Sequence, residues 1–191
     1  TRIFYDTEFI EDGKTIALIS LGMIREDTGA ELYLVNRDMP TRRIRKHQWL
    51  MDNVVRSLPK AHGDRRLTMP KRWLFDYAAP VVKRHKRIAD EVAAFIQGTP
   101  DVQLWAWYGA YDHVALCQLW GPMTALPAGV PMFTNDLKQE ATRLGMTDDD
   151  LPQQPNGVHN ALADARHNLV RAVALDGLRA TVPAVGEQPH A

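Results

Sequence analysis

Residues 2–36 read RIFYDTEFIEDGKTIALISLGMIREDTGAELYLVN. Three segments within them, at 2–9, 14–24 and 30–36, are rich in β-branched and aromatic residues. The breaks, Glu11-Asp12-Gly13 and Glu26-Asp27-Thr28-Gly29, carry turn chemistry. Connections this short predict an antiparallel meander of three strands.

Downstream the pattern changes. Residues 37–79 are polar, basic and interrupted by Pro40, Pro59 and Pro70, with a short helix expected over Arg42–Arg56. A longer helix is predicted from Pro80 to Gln97, with Val81, Ile88, Ala89, Val92, Phe95 and Ile96 as its apolar stripe. Val102–Tyr108 reads as a buried strand, Tyr111–Trp120 as a helix stopped by Gly121-Pro122, and Pro131–Thr134 as a short strand. Asp136–Leu144 is a predicted helix capped by Gly145. Asn160–Leu178 is the last helix, with Asn160 as its N-cap. Three antiparallel strands followed by βα units predict an α/β fold, a mixed sheet with flanking helices. The expected organisation is a single domain over 1–180, with a basic insertion at 37–79 and a flexible tail at 181–191.

A chain of 191 residues suits one domain with its own core. No apolar run approaches the ~20 residues of a membrane span, and no secretory signal is apparent. Cys117 is the sole cysteine, which excludes an internal disulfide and a cysteine-based zinc site. These features fit a reducing cytoplasm. The net charge of zero hides an asymmetry. From Arg37 to Arg87 there are fifteen Lys or Arg against four acids, so this stretch carries +11 and the remainder −11. Such a block suits either a polyanion such as nucleic acid or a solvated, Arg-rich insertion.

Asp6 and Glu8 are two apart on the first strand and so share a face, opposite Ile3, Tyr5, Thr7 and Phe9. Two acids on one face of a core-like strand are unfavourable unless they are wet or bind a cation. Asp112 lies just past a predicted strand end, where functional groups gather in α/β sheets, although an Asp there also serves as a helix cap. Asp164 sits in the last helix among Ala161, Ala163 and Ala165, which are small enough for close approach to a sheet. His159 is five positions earlier, roughly 140° around an ideal helix. The two converge only if His159 sits in the loop before the helix, where Asn156-Gly157 supplies the turn.

In order, these pieces resemble the DEDDh group of 3′–5′ exonucleases, the ribonuclease T and DnaQ-like superfamily. The most specific pieces are Tyr5-Asp-Thr-Glu-Phe9 and His159-Asn-Ala-Leu-Ala-Asp-Ala165. The resemblance spans roughly Ile3 to Leu175. A sister group carries Tyr-x3-Asp in the last motif, and here that position is Asn160. Within the group the chain is most similar to actinobacterial poly(A)-directed 3′–5′ exoribonucleases. It departs from many relatives in reading Trp107-Tyr-Gly-Ala-Tyr-Asp112 at the middle motif and Phe9-Ile10 after Glu8.

The resemblance implies a ribonuclease H-like fold and the 3′ end of single-stranded RNA as substrate, with nucleoside 5′-monophosphate as product. It implies two divalent cations, Mg²⁺ or Mn²⁺, which four converging carboxylates require for neutralisation. Asp6 would bridge the ions, Glu8 and Asp164 would bind one, and Asp112 the other. His159 would be the general base. A homodimer is also implied. Phe9, Tyr108 and Tyr111 are candidate nucleotide contacts, with Trp107 beside them; Trp105 and Tyr5 read as core. Trp73 and Phe75 are candidates to grip the backbone with the basic block. A DNA exonuclease of the same fold is the main alternative, because these residues carry no motif for the 2′-OH. A non-catalytic nucleic-acid-binding module would be expected to have lost at least one acid.

Overall fold

The computed structural model describes residues 1–61 and 73–179. The expected tail at 181–191 lies outside the described residues, as does part of the basic insertion. The meander forms as read: β1 (Arg2–Glu11), β2 (Ile16–Arg25) and β3 (Glu31–Asn36) pair antiparallel. Four more elements extend it, β4 (Val82–Lys83), α3 (His85–Gln97), β5 (Gln103–Ala106) and β6 (Asn135–Asp136). Two short helices precede β4, α1 (Thr41–Ile44) and α2 (Gln48–Asp52). Three helices follow β5: α4 (Ala110–Cys117), α5 (Leu137–Arg143) and α6 (Ala161–Arg179). The sheet order is β4-β3-β2-β1-β5-β6, and β4, β5 and β6 all join in parallel. This is the mixed sheet with flanking helices that was expected.

Side-chain alternation along β1 sorts the core. Ile3 and Tyr5 pack with Ile88, Val92 and Ile96 of α3 and with Ala115 and Leu116 of α4. Phe4 faces the other way, against Leu137 and Ala141 of α5 and Ala165, Ala172 and Leu175 of α6. No helix among the described residues is long and apolar enough to cross a membrane.

Three expectations are corrected. The helix predicted from Pro80 starts at His85, because Val82 and Lys83 pair with Val35 and Asn36 as an edge strand first. Two residues leave no periodicity to read. The strand predicted at Pro131–Thr134 is instead Asn135–Asp136, paired with Trp105 and Ala106. The single helix over Arg42–Arg56 is α1, α2 and a 3-10 turn at Val55–Ser57.

The described part of the insertion has a core of its own. Met39, Ile44, Leu50, Met51, Val54 and Leu58 close over Ile10, Ile19 and Val35 of the sheet. Trp73 and Phe75, 4% and 2% exposed, belong to this cluster. They are therefore core residues and not the backbone contacts they were candidates to be.

Candidate active site

Asp6 and Glu8 continue the Phe4 face of β1 and meet the start of α6. The close approach of that helix is set by Gly22, which pairs with Asp6 across β1 and β2. A Cβ on Gly22 would lie 2.3–2.4 Å from backbone atoms of Ala161 and Leu162. Ala161 and Ala165 are fully buried against the sheet. Ala163 faces the preceding loop instead, 2.9 Å from where a Gly157 Cβ would sit. Gly22→Ala is expected to push α6 outward, with a destabilisation of about 1–3 kcal/mol typical of overpacking. Thermal unfolding checks this, and turnover should fall with it as Asp164 is displaced.

His159 stands in the loop before α6, as its spacing from Asp164 required. Gly157 and His159 both have positive φ, +73° and +66°. The second is uncommon for a side chain with a Cβ, and such strain gathers at functional sites. Asn160 caps the helix, accepting from Ala163 N–H at 3.1 Å. Ser57 donates to the His159 carbonyl at 2.8 Å, and Trp49 of α2 meets the imidazole edge-on at 4.8 Å. The insertion thus holds the histidine. His159 Nδ1 lies 3.9 Å from Glu8 Oε1, and ligand atoms of Glu8, His159 and Asp164 fall within 4.8 Å of one another.

Asp112 reaches the site from α4. Gly109 is the N-cap of that helix, so Asp112 is not the cap it might have been. β5 pairs with β1 only over Arg2–Phe4. Beyond that point Thr7 gives both its backbone N–H and its hydroxyl to Asp112 Oδ1, at 2.8 and 2.6 Å. The loop into α4 turns at Tyr108, φ +54°, and Gly109 N–H is held by Asp136 at 2.9 Å.

The four carboxylates line one cleft of about 450 Å³. Among the described residues none of them has a Lys or Arg ion pair within 4.0 Å. Burial, followed by Asp112, Glu8 and Asp164, pushes the Asp6 carboxyl well above its usual range. Burial and the charges of Asp164 and Asp112 push Glu8 up to about 8. Asp112 rises to about 6 through burial, opposed by its Thr7 hydrogen bonds. Asp164 is raised by burial as well, opposed by Gln154, which donates to it at 2.7 Å. Buried acids that lack a cationic partner and offer only oxygen donors suit a hard divalent cation.

The candidate nucleotide contacts separate. Phe9 lines the cleft, and Tyr111, largely exposed, stacks on it with centroids 6.1 Å apart. Trp107 also lines the cleft, whereas Tyr108 faces a neighbouring depression with Lys138 and Arg143. The cleft residues that escaped the sequence reading include Trp49, Gln154, Asn168 and Arg171. Asn168 and Arg171 follow Asp164 by four and seven positions, so the helical repeat could have found them. Asn168 is buried and donates to the Tyr5 carbonyl at 3.1 Å. Trp49 had no comparable signal, because it enters from the insertion.

No family model matches the chain. It is 44% identical over 172 residues to proteins named 3′–5′ exoribonuclease from two strains of Mycobacterium tuberculosis, CDC 1551 and H37Rv. That match covers 89% of this chain and 90% of each relative. Among solved structures, Schizosaccharomyces pombe Pop2p in its Mg²⁺- and Mn²⁺-bound form aligns at TM-score 0.41 and 12% identity, covering 92% of this chain and 81% of that one. A chain from the structure of the yeast NOT1 MIF4G domain co-crystallised with CAF1 aligns at TM-score 0.45 and 11% identity, covering 92% of this chain and 80% of that one.

Proposed function

Since the chain belongs to the family of the mycobacterial 3′–5′ exoribonucleases and is a phosphodiester hydrolase of that class, we propose that it removes nucleoside 5′-monophosphates from single-stranded RNA 3′ ends at the Asp6–Glu8–Asp112–Asp164 cleft. The observation that carries this reading is the convergence in one cleft of four carboxylates, Glu8 and Asp112 buried and Asp6 and Asp164 partly so, with no basic ion-pair partner among the described residues, beside the half-exposed imidazole of His159.

In the proposal Asp6, Glu8, Asp112 and Asp164 would hold two divalent cations, Mg²⁺ or Mn²⁺. Bound there, the ions would stabilise the attacking and leaving oxygens of an in-line displacement. His159 takes the proton of the attacking water, a contribution of ~10²–10⁴ in rate. Thr7 fixes the Asp112 carboxylate through two hydrogen bonds to one oxygen. Gln154 holds Asp164 through a single hydrogen bond to one oxygen.

Aromatic rings supply the grip on bases. Phe9, on which Tyr111 stacks, and Trp49 line the cleft and are proposed to offer π-faces to a terminal base. Stacking of this kind accepts any base, so the proposed preference for adenylate tracts rests on the resemblance and not on these rings. The homodimer is proposed too, and sedimentation would show it as twice the 21.6 kDa chain.

Incubation of the protein with 5′-labelled poly(A) RNA and Mg²⁺ tests the reaction. A ladder shortening from the 3′ end, absent with EDTA, is the expected result. Matched poly(U) and DNA strands in parallel test base and sugar preference. Endonucleolytic fragments, or faster loss of the DNA, would overturn the assignment.

The raised carboxylates also predict a pH dependence. Glu8 goes from its ordinary 4.5 to about 8 in the metal-free fold, so the folded state binds more protons than the unfolded chain between those values. The metal-free protein therefore loses stability from this group as pH rises through that window. Divalent-cation binding needs the ionised forms and displaces those protons. The rise in Tm on adding Mg²⁺ should accordingly be larger at pH 8 than at pH 6. An equal rise at both would mean that Glu8 is already ionised without the ion.

A further inference from the structure

Arg171 stands out among the residues lining the cleft. It is the sole Lys or Arg there among the described residues, in a cleft that carries four acids. The described cations of the basic insertion do not line it. Arg171 is carried on α6, two turns beyond Asp164, and its guanidinium carbon lies 4.2 Å from the centroid of the Trp107 ring. A guanidinium laid on an indole face is held in orientation.

What Arg171 lacks is an acceptor. Its Nε is buried without a hydrogen-bond partner, and no carboxylate among the described residues comes within 4.0 Å of it. Lys138, which lies 5.5 Å from the same indole centroid, is by contrast paired with Asp148. Burial lowers the pKa of the Arg171 guanidinium, and Asp148, Asp164 and Asp6 offset only part of that from a distance. A counter-ion for the acids would sit in contact with one of them. Arg171 is instead stacked to one side, lining the cleft with a guanidinium that makes no hydrogen bond among the described residues. Leaving a buried donor unmade is costly, so such a group points to an acceptor that arrives from outside.

We propose that Arg171 is a substrate-binding residue that receives a non-bridging phosphodiester oxygen of the RNA 3′ end, at or beside the scissile phosphate. This deepens the proposed function and rests on the same cleft. The chemistry fits on two counts. The non-bridging oxygens of a phosphodiester are anionic acceptors that suit the planar donor fork of a guanidinium. Four carboxylates and two divalent cations cancel, so a phosphodiester entering the cleft brings one negative charge, and Arg171 brings the positive charge to match it.

The test is the binding of a 5′-fluorescein oligoadenylate, followed by anisotropy with Ca²⁺ in place of Mg²⁺, for the wild type, Arg171→Gln and Arg171→Lys. Gels of the same samples show whether the strand is intact. Arg171→Gln is expected to weaken binding about 10-fold or more, the scale of a lost charge-assisted hydrogen bond. The slope of log affinity against log salt should fall by ~0.7, as for one single-strand phosphate contact. Arg171→Lys keeps the charge without the stacked fork, and is expected to restore only part of the affinity.

Unchanged RNA affinity and salt slope in Arg171→Gln would overturn the inference, and a shifted Ca²⁺ requirement in the same variant would show Arg171 to be a counter-ion for the acids. Full rescue by Arg171→Lys would also overturn it in favour of a simple charge. A wild type that binds the oligonucleotide but never shortens it in Mg²⁺ would defeat the proposed reaction and leave Arg171 to be judged on binding. A wild type that does not bind at all would defeat both. Unfolding curves of each variant separate these outcomes from a loss of fold.

Discussion

Asp6→Asn is expected to abolish Mg²⁺-dependent cleavage while raising the Tm of the metal-free protein. The two effects have one cause. Asp6 lies at the centre of the acidic group, where burial and three neighbouring carboxylates push its pKa well up. The neutral amide keeps the shape and removes both the desolvated charge and the repulsion. In EDTA at pH 8, relief worth about 1 kcal/mol would appear as an upward shift of roughly 2–4 °C for a chain of this size. The same substitution removes one of the carboxylates proposed to hold the cations. Turnover should fall at least about 10³-fold, beyond the loss typical of a single transition-state hydrogen bond. Stability gained where function is lost is the usual mark of a site strained for its task. An Asp6→Asn protein that still cleaved at an ordinary rate would remove Asp6 from the centre of the reading. Loss of activity together with a lower Tm would mean that Asp6 holds the fold rather than a cation.

The parts of this molecule that were legible in its sequence are those built on local periodicity. Alternation along β1 put Asp6 and Glu8 on one face, and the helix carrying Asp164 was bounded correctly by Asn160. Alanines on that helix predicted its close approach. Their partner, Gly22, was invisible, because a glycine within a strand says nothing of what packs on it until the register with Asp6 is known. β4 and β6 are two residues each and exist only through pairing with longer neighbours, so no pattern announces them. The insertion misled in a different way. Its Arg-rich composition hid a set of apolar residues spaced without period, which close over the sheet and deliver Trp49 and Ser57 to His159. Long-range delivery of this kind has no local signature. The separation of His159 from Asp164 was legible because it posed a geometric conflict with one resolution, a loop before the helix, and the left-handed turn at His159 supplies it.

His159→Ala is expected to lower kcat by ~10²–10⁴ with little change in the Mg²⁺ concentration needed for half-activity. The geometry alone admits two roles, because the imidazole lies close enough to Glu8 and Asp164 to complete a three-residue metal set. Chemistry favours the base. Mg²⁺ takes hard oxygen donors, and four carboxylates already supply them. The imidazole is also half-exposed at the rim and held by Trp49 and by Ser57 through its own carbonyl, a mounting that suits a group reaching a water from above. The two roles part in titration. As a base, His159 leaves divalent-cation affinity nearly intact when removed, and the lost rate is recovered in part by raising the pH, as hydroxide takes over from the activated water. As a ligand, its loss would weaken the cation by at least tenfold and high pH would recover nothing. Calorimetric Mn²⁺ titration of His159→Ala beside the pH–rate profile therefore decides the matter. A variant with full turnover would exclude the histidine from both roles and return the proton transfer to the carboxylates themselves.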